Sequence, residues 1–152
     1  MARSDPVQVR IPRIDLESSL MRLGLQSNGT LEVPPSGFPA GWYVGAPTAG
    51  EIGPAIIVGH VHWNGAPGVF WDLHRLSRGD EILVSREDGS TAVFSVQRVL
   101  QVAKSEFPTD RVYGHIDHAG LRVITCGGFN EQTRTYDDNL IVFADLIGSR
   151  EG

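Results

Sequence analysis

The apolar residues of this chain fall into short runs of β periodicity, each closed by a turn signal. Val7, Val9 and Ile11 alternate with polar neighbours and stop at Pro12, the pattern of a half-buried strand. Leu31 to Val33 is a short apolar stretch between Asn28-Gly29 and Pro34-Pro35, both turn formers, and predicts another strand. Ala55 to Val58 is a continuous apolar run ending in Gly59-His60. Glu81 to Ser85 and Thr91 to Val102 flank Glu87-Asp88-Gly89-Ser90, which reads as a hairpin. Leu121 to Cys126 and Leu140 to Leu146 complete the set. About seven or eight strands at this spacing predict a barrel or sandwich. Two stretches are less uniform. Glu17 to Leu25 carries Leu20, Met21, Leu23 and Leu25, which fits a helix or a strand. Val69 to Leu76 places Phe70, Leu73 and Leu76 three residues apart, enough for one helical turn before Gly79. The Gly/Pro-rich segment Pro34 to Pro54 predicts a long loop, packed through Phe38, Trp42 and Tyr43.

With 152 residues the chain has room for one ordinary domain, and no repeat or linker divides it. Hydrophobic residues make up 41% and charged residues 20%, the balance of a globular rather than a disordered chain. Thirteen Lys and Arg against eighteen Asp and Glu leave a net charge of −5, which argues against nucleic acid as a partner. No apolar run approaches the roughly 18 to 20 residues that span a bilayer. Met1 to Ile14 lacks the apolar core of a signal peptide. The one cysteine, Cys126, excludes an internal disulfide and a cysteine-rich zinc site.

Cys126 ends an apolar strand and is followed by Gly127-Gly128. Two glycines let the backbone turn sharply and aim N–H groups at a ligand. A thiol there is either a nucleophile beside oxyanion donors or a buried structural cysteine. His60 follows a second apolar strand in the same way, and a nearby imidazolium would favour a thiolate. His60 and His62 would lie on one face of a continuing strand, so a His60, His62, Cys126 zinc set is also open. Arg78-Gly79-Asp80 and Asn28-Gly29-Thr30 read as turns, His115, Asp117 and His118 as a solvated loop, and Asp137-Asp138 as a turn.

In their joint order these segments resemble the sortases, cysteine transpeptidases of Gram-positive cell surfaces. The resemblance runs from Val9-Arg10-Ile11-Pro12 with Ile14 through Gly59-His60 and Ile124-Thr125-Cys126 to Ile141-Val142-Phe143-Ala144. Leu23-Gly24-Leu25, Gly41-Trp42-Tyr43, Phe107-Pro108-Thr109-Asp110, Val112-Tyr113-Gly114, Cys126-Gly127-Gly128 and Tyr136-Asp137-Asp138-Asn139 are similar to the class F sortases of actinobacteria. It implies a mainly β fold, a closed eight-stranded sortase-type barrel with short helices, and residues 1–152 as a single catalytic domain. It implies an N-terminal membrane anchor on the full-length protein and a place on the extracellular face of the membrane. The implied activity cleaves a Leu-Pro-x-Thr-Gly-like sorting signal at Thr–Gly and transfers it to a peptidoglycan amine, with no cofactor and no metal. Cys126 is then the nucleophile and His60 the acid and base, with Val61, Thr125, Gly127 and Arg134 as substrate contacts.

The arginine departs from the family pattern. Most sortases carry it at the start of the strand after the cysteine, where this chain has Asn139. Arg122 shares a strand face with Cys126, about 13 Å away at ~3.3 Å per residue, and is the expected substitute; Arg134 is the alternative. A non-catalytic sortase-like binding module and a zinc hydrolase are the competing classes.

Overall fold

The apolar runs become twelve strands among the described residues, eight of which close into a barrel. In the computed structural model, residues 1–103, 106–126, 129–130, 135–136 and 138–151 are described, positions 126, 129, 130, 135 and 136 by their backbone alone. The strands are β1 (Pro6–Ile11), β2 (Leu16–Leu23), β3 (Ala40–Tyr43), β4 (Gly53–His60), β5 (His62–Trp63), β6 (Ala66–Pro67), β7 (Glu81–Arg86), β8 (Thr91–Val102), β9 (Ala119–Cys126), β10 (Phe129–Asn130), β11 (Thr135–Tyr136) and β12 (Asn139–Arg150). A short helix, α1, spans Thr109–Tyr113, and 3-10 turns cover Pro12–Ile14 and Leu73–Arg75. The barrel order is β1-β2-β3-β4-β9-β12-β8-β7, closing back on β1. Every barrel strand therefore has two partners, and the barrel itself has no open edge. The remaining strands form two small ribbons, β5-β6 and β10-β11. The expected mainly β, closed eight-stranded barrel is thus the fold observed.

Strand alternation fills the interior. Val9 and Ile11, Ala55 and Ile57, Ile82 and Val84, Phe94 and Val96, Leu121 and Val123, and Val142 and Ala144 meet in one buried cluster. A second cluster lies on the opposite face of the same sheet, where Leu23, Ile56, Val58, Ile124 and Ile141 pack with Val112 of α1. This explains the unbroken apolar run at 55–58. All eight residues of β4 are buried, because the strand is covered on both faces and pairs parallel to β9.

Several expectations change. Glu17 to Leu25 resolves mainly as strand: β2 runs antiparallel to β1 as far as Leu23, turns Leu16 and Ser18 inward and puts Leu23 on the outer face. Leu31 to Val33 is not a strand; only one bridge, Leu25 to Leu31, forms there. The segment 34–54 is not all loop, since β3 lies within it and pairs parallel to β2 and antiparallel to β4. Four residues including Gly41 were too short a pattern to stand out between prolines. The helical turn expected over 69–76 shrinks to Leu73–Arg75, and α1 was not anticipated.

Candidate active site

Two strand ends build the site. β4 and β9 run parallel through eight consecutive Cα pairs, from Gly53 with Ala119 to His60 with Cys126. Residues 66 positions apart in the chain thus become neighbours, about 4.8 Å apart across the ladder. Parallel partners in register share a face, and alternation assigns positions 60 and 126 to the outer face with Ile56, Val58 and Ile124.

The His60 side chain is only 8% exposed. Its Nε2 lies 2.7 Å from the Pro34 carbonyl oxygen, and its ring packs at 4.9 Å on the Trp63 indole. Its own carbonyl accepts from Phe70 N–H at 3.0 Å. Gly68 makes that return of the chain possible: a Cβ there would lie 2.4 Å from the His60 carbonyl oxygen. Gly68 N–H donates to the Val61 carbonyl at 2.7 Å, so half-buried Val61 is tied into the ribbon base. The strand does not continue to His62, contrary to expectation. It bends at Val61, and His62 opens β5 with its ring edge-on to Trp71, 6.4 Å between centroids. The two imidazoles therefore pack on different indoles. Among the described residues no three His, Cys, Asp or Glu side chains converge as a metal-ligand set.

Thr125 faces inward and is 1% exposed; its Oγ1 accepts from Leu140 N–H at 2.9 Å. Its side chain ties the start of β12 to the end of β9, on the inner face that strand alternation shares with Leu121 and Val123.

Arg122 does share the face of position 126, but its guanidinium runs the other way. Nη1 lies so close to Gly120 that a Cβ there would be 2.9 Å from it. Nη2 makes a long contact of 3.4 Å to the Arg111 carbonyl of α1, and the group sits 4.8 Å above the Phe143 ring. Ile124, packed in the outer cluster, stands between Arg122 and position 126 on that face. The expected reach toward Cys126 is therefore not made: the missing side chain at Gly120 and the Phe143 ring provide room behind, and Ile124 fills the space ahead. Arg122 is 6% exposed, its Nε has no partner among the described residues, and burial lowers its pKa, with the Asp145 carboxylate opposing the shift. Gly127 and Arg134, and the Asp137 of the expected turn, lie outside the described residues, as does the side chain of Cys126.

His118 is exposed, as expected, but not isolated. Nδ1 lies 3.1 Å from Asp117 and Nε2 2.9 Å from Asp145 of β12. The Asp117 and Asp145 hydrogen bonds raise the pKa of His118, and the same contact lowers that of Asp117.

The sequence pattern missed Pro34 and Trp63. Pro34-Pro35 signalled only a turn, and nothing local linked it to a histidine 26 residues away.

The architecture is that of the sortase barrel. Sortase A from Corynebacterium diphtheriae, a lid mutant, superposes with a TM-score of 0.73 at 19% identity, over 97% of this chain and 73% of that one. Sortase A from Listeria monocytogenes gives 0.73 at 14% identity over 98% and 91%. A sortase E mutant from Streptomyces avermitilis gives 0.68 at 20% over 99% and 93%. In sequence, residues 9–147 match the family model described as "Sortase domain", and the chain belongs to the sortase family, whose members are transpeptidases. No curated protein matches the sequence.

Proposed function

We propose that the chain is an active cysteine transpeptidase of class F type that cleaves a Leu-Pro-x-Thr-Gly-like sorting signal between Thr and Gly. The observation that carries the reading is the β4–β9 register, which pairs His60 with Cys126 at the ends of two parallel strands. The Cys126 thiolate attacks the Thr carbonyl carbon and forms a C–S bond. Collapse of the tetrahedral adduct breaks the C–N bond, and His60 gives the leaving amine its proton. An amine then attacks the thioester, His60 takes its proton, and the C–S bond breaks to return the thiolate. Backbone N–H groups at Gly127 and the Arg134 guanidinium hold the oxyanion. Arg134 is preferred to Arg122 because the latter is engaged by Phe143 and Arg111 behind Ile124. Val61 and the backbone at Thr125 border the bound peptide.

The acceptor is an amine of peptidoglycan, and the domain works on the extracellular face of the membrane as the catalytic part of an anchored protein. No described helix is long and apolar enough to cross a membrane. The test is a transfer assay with a sorting-signal peptide and a small amine on wild type, His60→Ala and His62→Ala. His60→Ala loses at least ~10²-fold in turnover, the scale of acid–base catalysis, and His62→Ala stays within about tenfold. Equal losses, with stoichiometric zinc in the wild type, would instead favour a metal hydrolase.

A further inference from the structure

We propose that the Pro34-Pro35 strap is a positioning element for His60. The Pro34 carbonyl holds the ring as its Nε2–H form, so Nδ1 is the nitrogen that exchanges protons. This rests on the acid–base role of His60 proposed above and adds which nitrogen performs it.

A carbonyl oxygen can only accept a hydrogen bond, so at 2.7 Å the His60 Nε2 must carry a hydrogen. That holds for the neutral and the protonated ring alike. Both partners are buried, so water does not compete for the contact. The neutral ring then has its lone pair on Nδ1, the nitrogen nearer Cβ and the β4 backbone, whose neighbour is the end of β9. One hydrogen bond thus survives both halves of the reaction. Nδ1–H passes its proton to the leaving amine, Nδ1 later takes one from the attacking amine, and the ring need not flip between them.

The strap is built to aim that carbonyl. The pyrrolidine ring fixes φ of Pro34, and Pro35 behind it restricts ψ to the extended region. Neither residue has an N–H to draw it into a ladder. The strap is fastened next to His60: the Gly37 carbonyl accepts from Val69 N–H at 2.9 Å. Gly37 itself lies against Trp63: a Cβ at position 37 would be 3.1 Å from the Trp63 Cβ. Trp63 in turn packs on the His60 ring. Carbonyl and indole thus hold the imidazole from two sides.

The experiment is a long-range 1H–15N correlation on the histidine-labelled protein without substrate, at a pH where His60 is neutral. The expected spectrum shows a protonated, pyrrole-type Nε2 and a pyridine-type Nδ1 for His60. A protonated Nδ1, or a rapid average of the two forms, overturns the inference while leaving the catalytic reading intact. Pro35→Ala, an exposed substitution that frees ψ of Pro34, is expected to give a mixed tautomer population. Its kcat should fall about 10- to 100-fold with KM nearly unchanged, as for a misplaced catalytic group. A Pro35→Ala protein with a single Nε2–H form and wild-type kcat also overturns the inference. Full turnover by His60→Ala would instead overturn the catalytic reading.

Discussion

Replacing Thr125 separates the two things its side chain does. The residue precedes Cys126, is almost fully buried, and its hydroxyl oxygen accepts the Leu140 N–H at 2.9 Å. Leu140 is the second residue of β12, next to the 127–138 connection that follows the cysteine. Thr125→Val keeps the shape and removes the acceptor. A buried N–H left without a partner costs about 1 to 3 kcal/mol. In a domain of this size each kcal/mol lowers Tm by about 2 to 4 °C, so the loss is roughly 2 to 12 °C. Thr125→Ser keeps the acceptor and removes a methyl group, which costs about 1 kcal/mol through lost burial. Stability alone therefore separates the two variants poorly. Amide hydrogen exchange separates them: the Leu140 amide loses protection in Thr125→Val and keeps it in Thr125→Ser. A Thr125→Val protein with wild-type Tm and a protected Leu140 amide would show that the hydroxyl does not hold β12.

Two further outcomes follow from the charged groups. Arg134→Ala should lower kcat by about 10² to 10³, the range for removing one oxyanion donor, while Arg122→Met keeps kcat near wild type in the same peptide assay. Arg122→Met should also unfold no earlier than wild type, because it replaces a buried cation, whose Nε has no partner among the described residues, with an apolar side chain of similar length. The pKa of His118 is raised in the folded protein, so its contribution to stability is fully present below the ordinary value of 6.5 and is lost as pH rises through the higher folded value. The ring is half exposed, so the contribution is a fraction of ~1 kcal/mol. Wild type should therefore lose up to about 2 °C in Tm between pH 6 and pH 8 relative to His118→Gln, and parallel curves for the two would contradict this.

The barrel was legible because its strands obey local rules. β1 alternates, and the β7–β8 hairpin carries its turn residues at Asp88-Gly89, with Gly89 at φ 88°. β4 was legible as a strand but not as one buried on both faces; that follows from α1 and the outer cluster, which the run 55–58 cannot announce. β3 was hidden among prolines because its pairing comes from β2 and β4 rather than from its own four residues. At the site, His60 and position 126 were each marked by an apolar strand running into a chemical group beside glycine, and the resemblance joined them. The direction of Arg122 was not legible. Alternation gives the face of a side chain but not which way along that face a long one runs, and here Gly120 and Ile124 decide it. The Pro34 contact was invisible for a related reason: it joins a turn to a strand end through backbone oxygen, which any residue type would supply.

In the proposed reaction Cys126 carries the acyl group, opposite His60 at the end of the β4–β9 ladder. The most direct measurement is intact-mass spectrometry of the protein mixed with a sorting-signal peptide and quenched in acid, followed by peptide mapping. The expected result is an adduct equal to the acyl fragment of the peptide up to and including Thr, joined by a thioester to Cys126 after loss of the Gly-side amine, discharged by added amine and absent in Cys126→Ala. An unmodified wild-type protein that nonetheless binds the peptide, or cleavage that persists in Cys126→Ala, would contradict it.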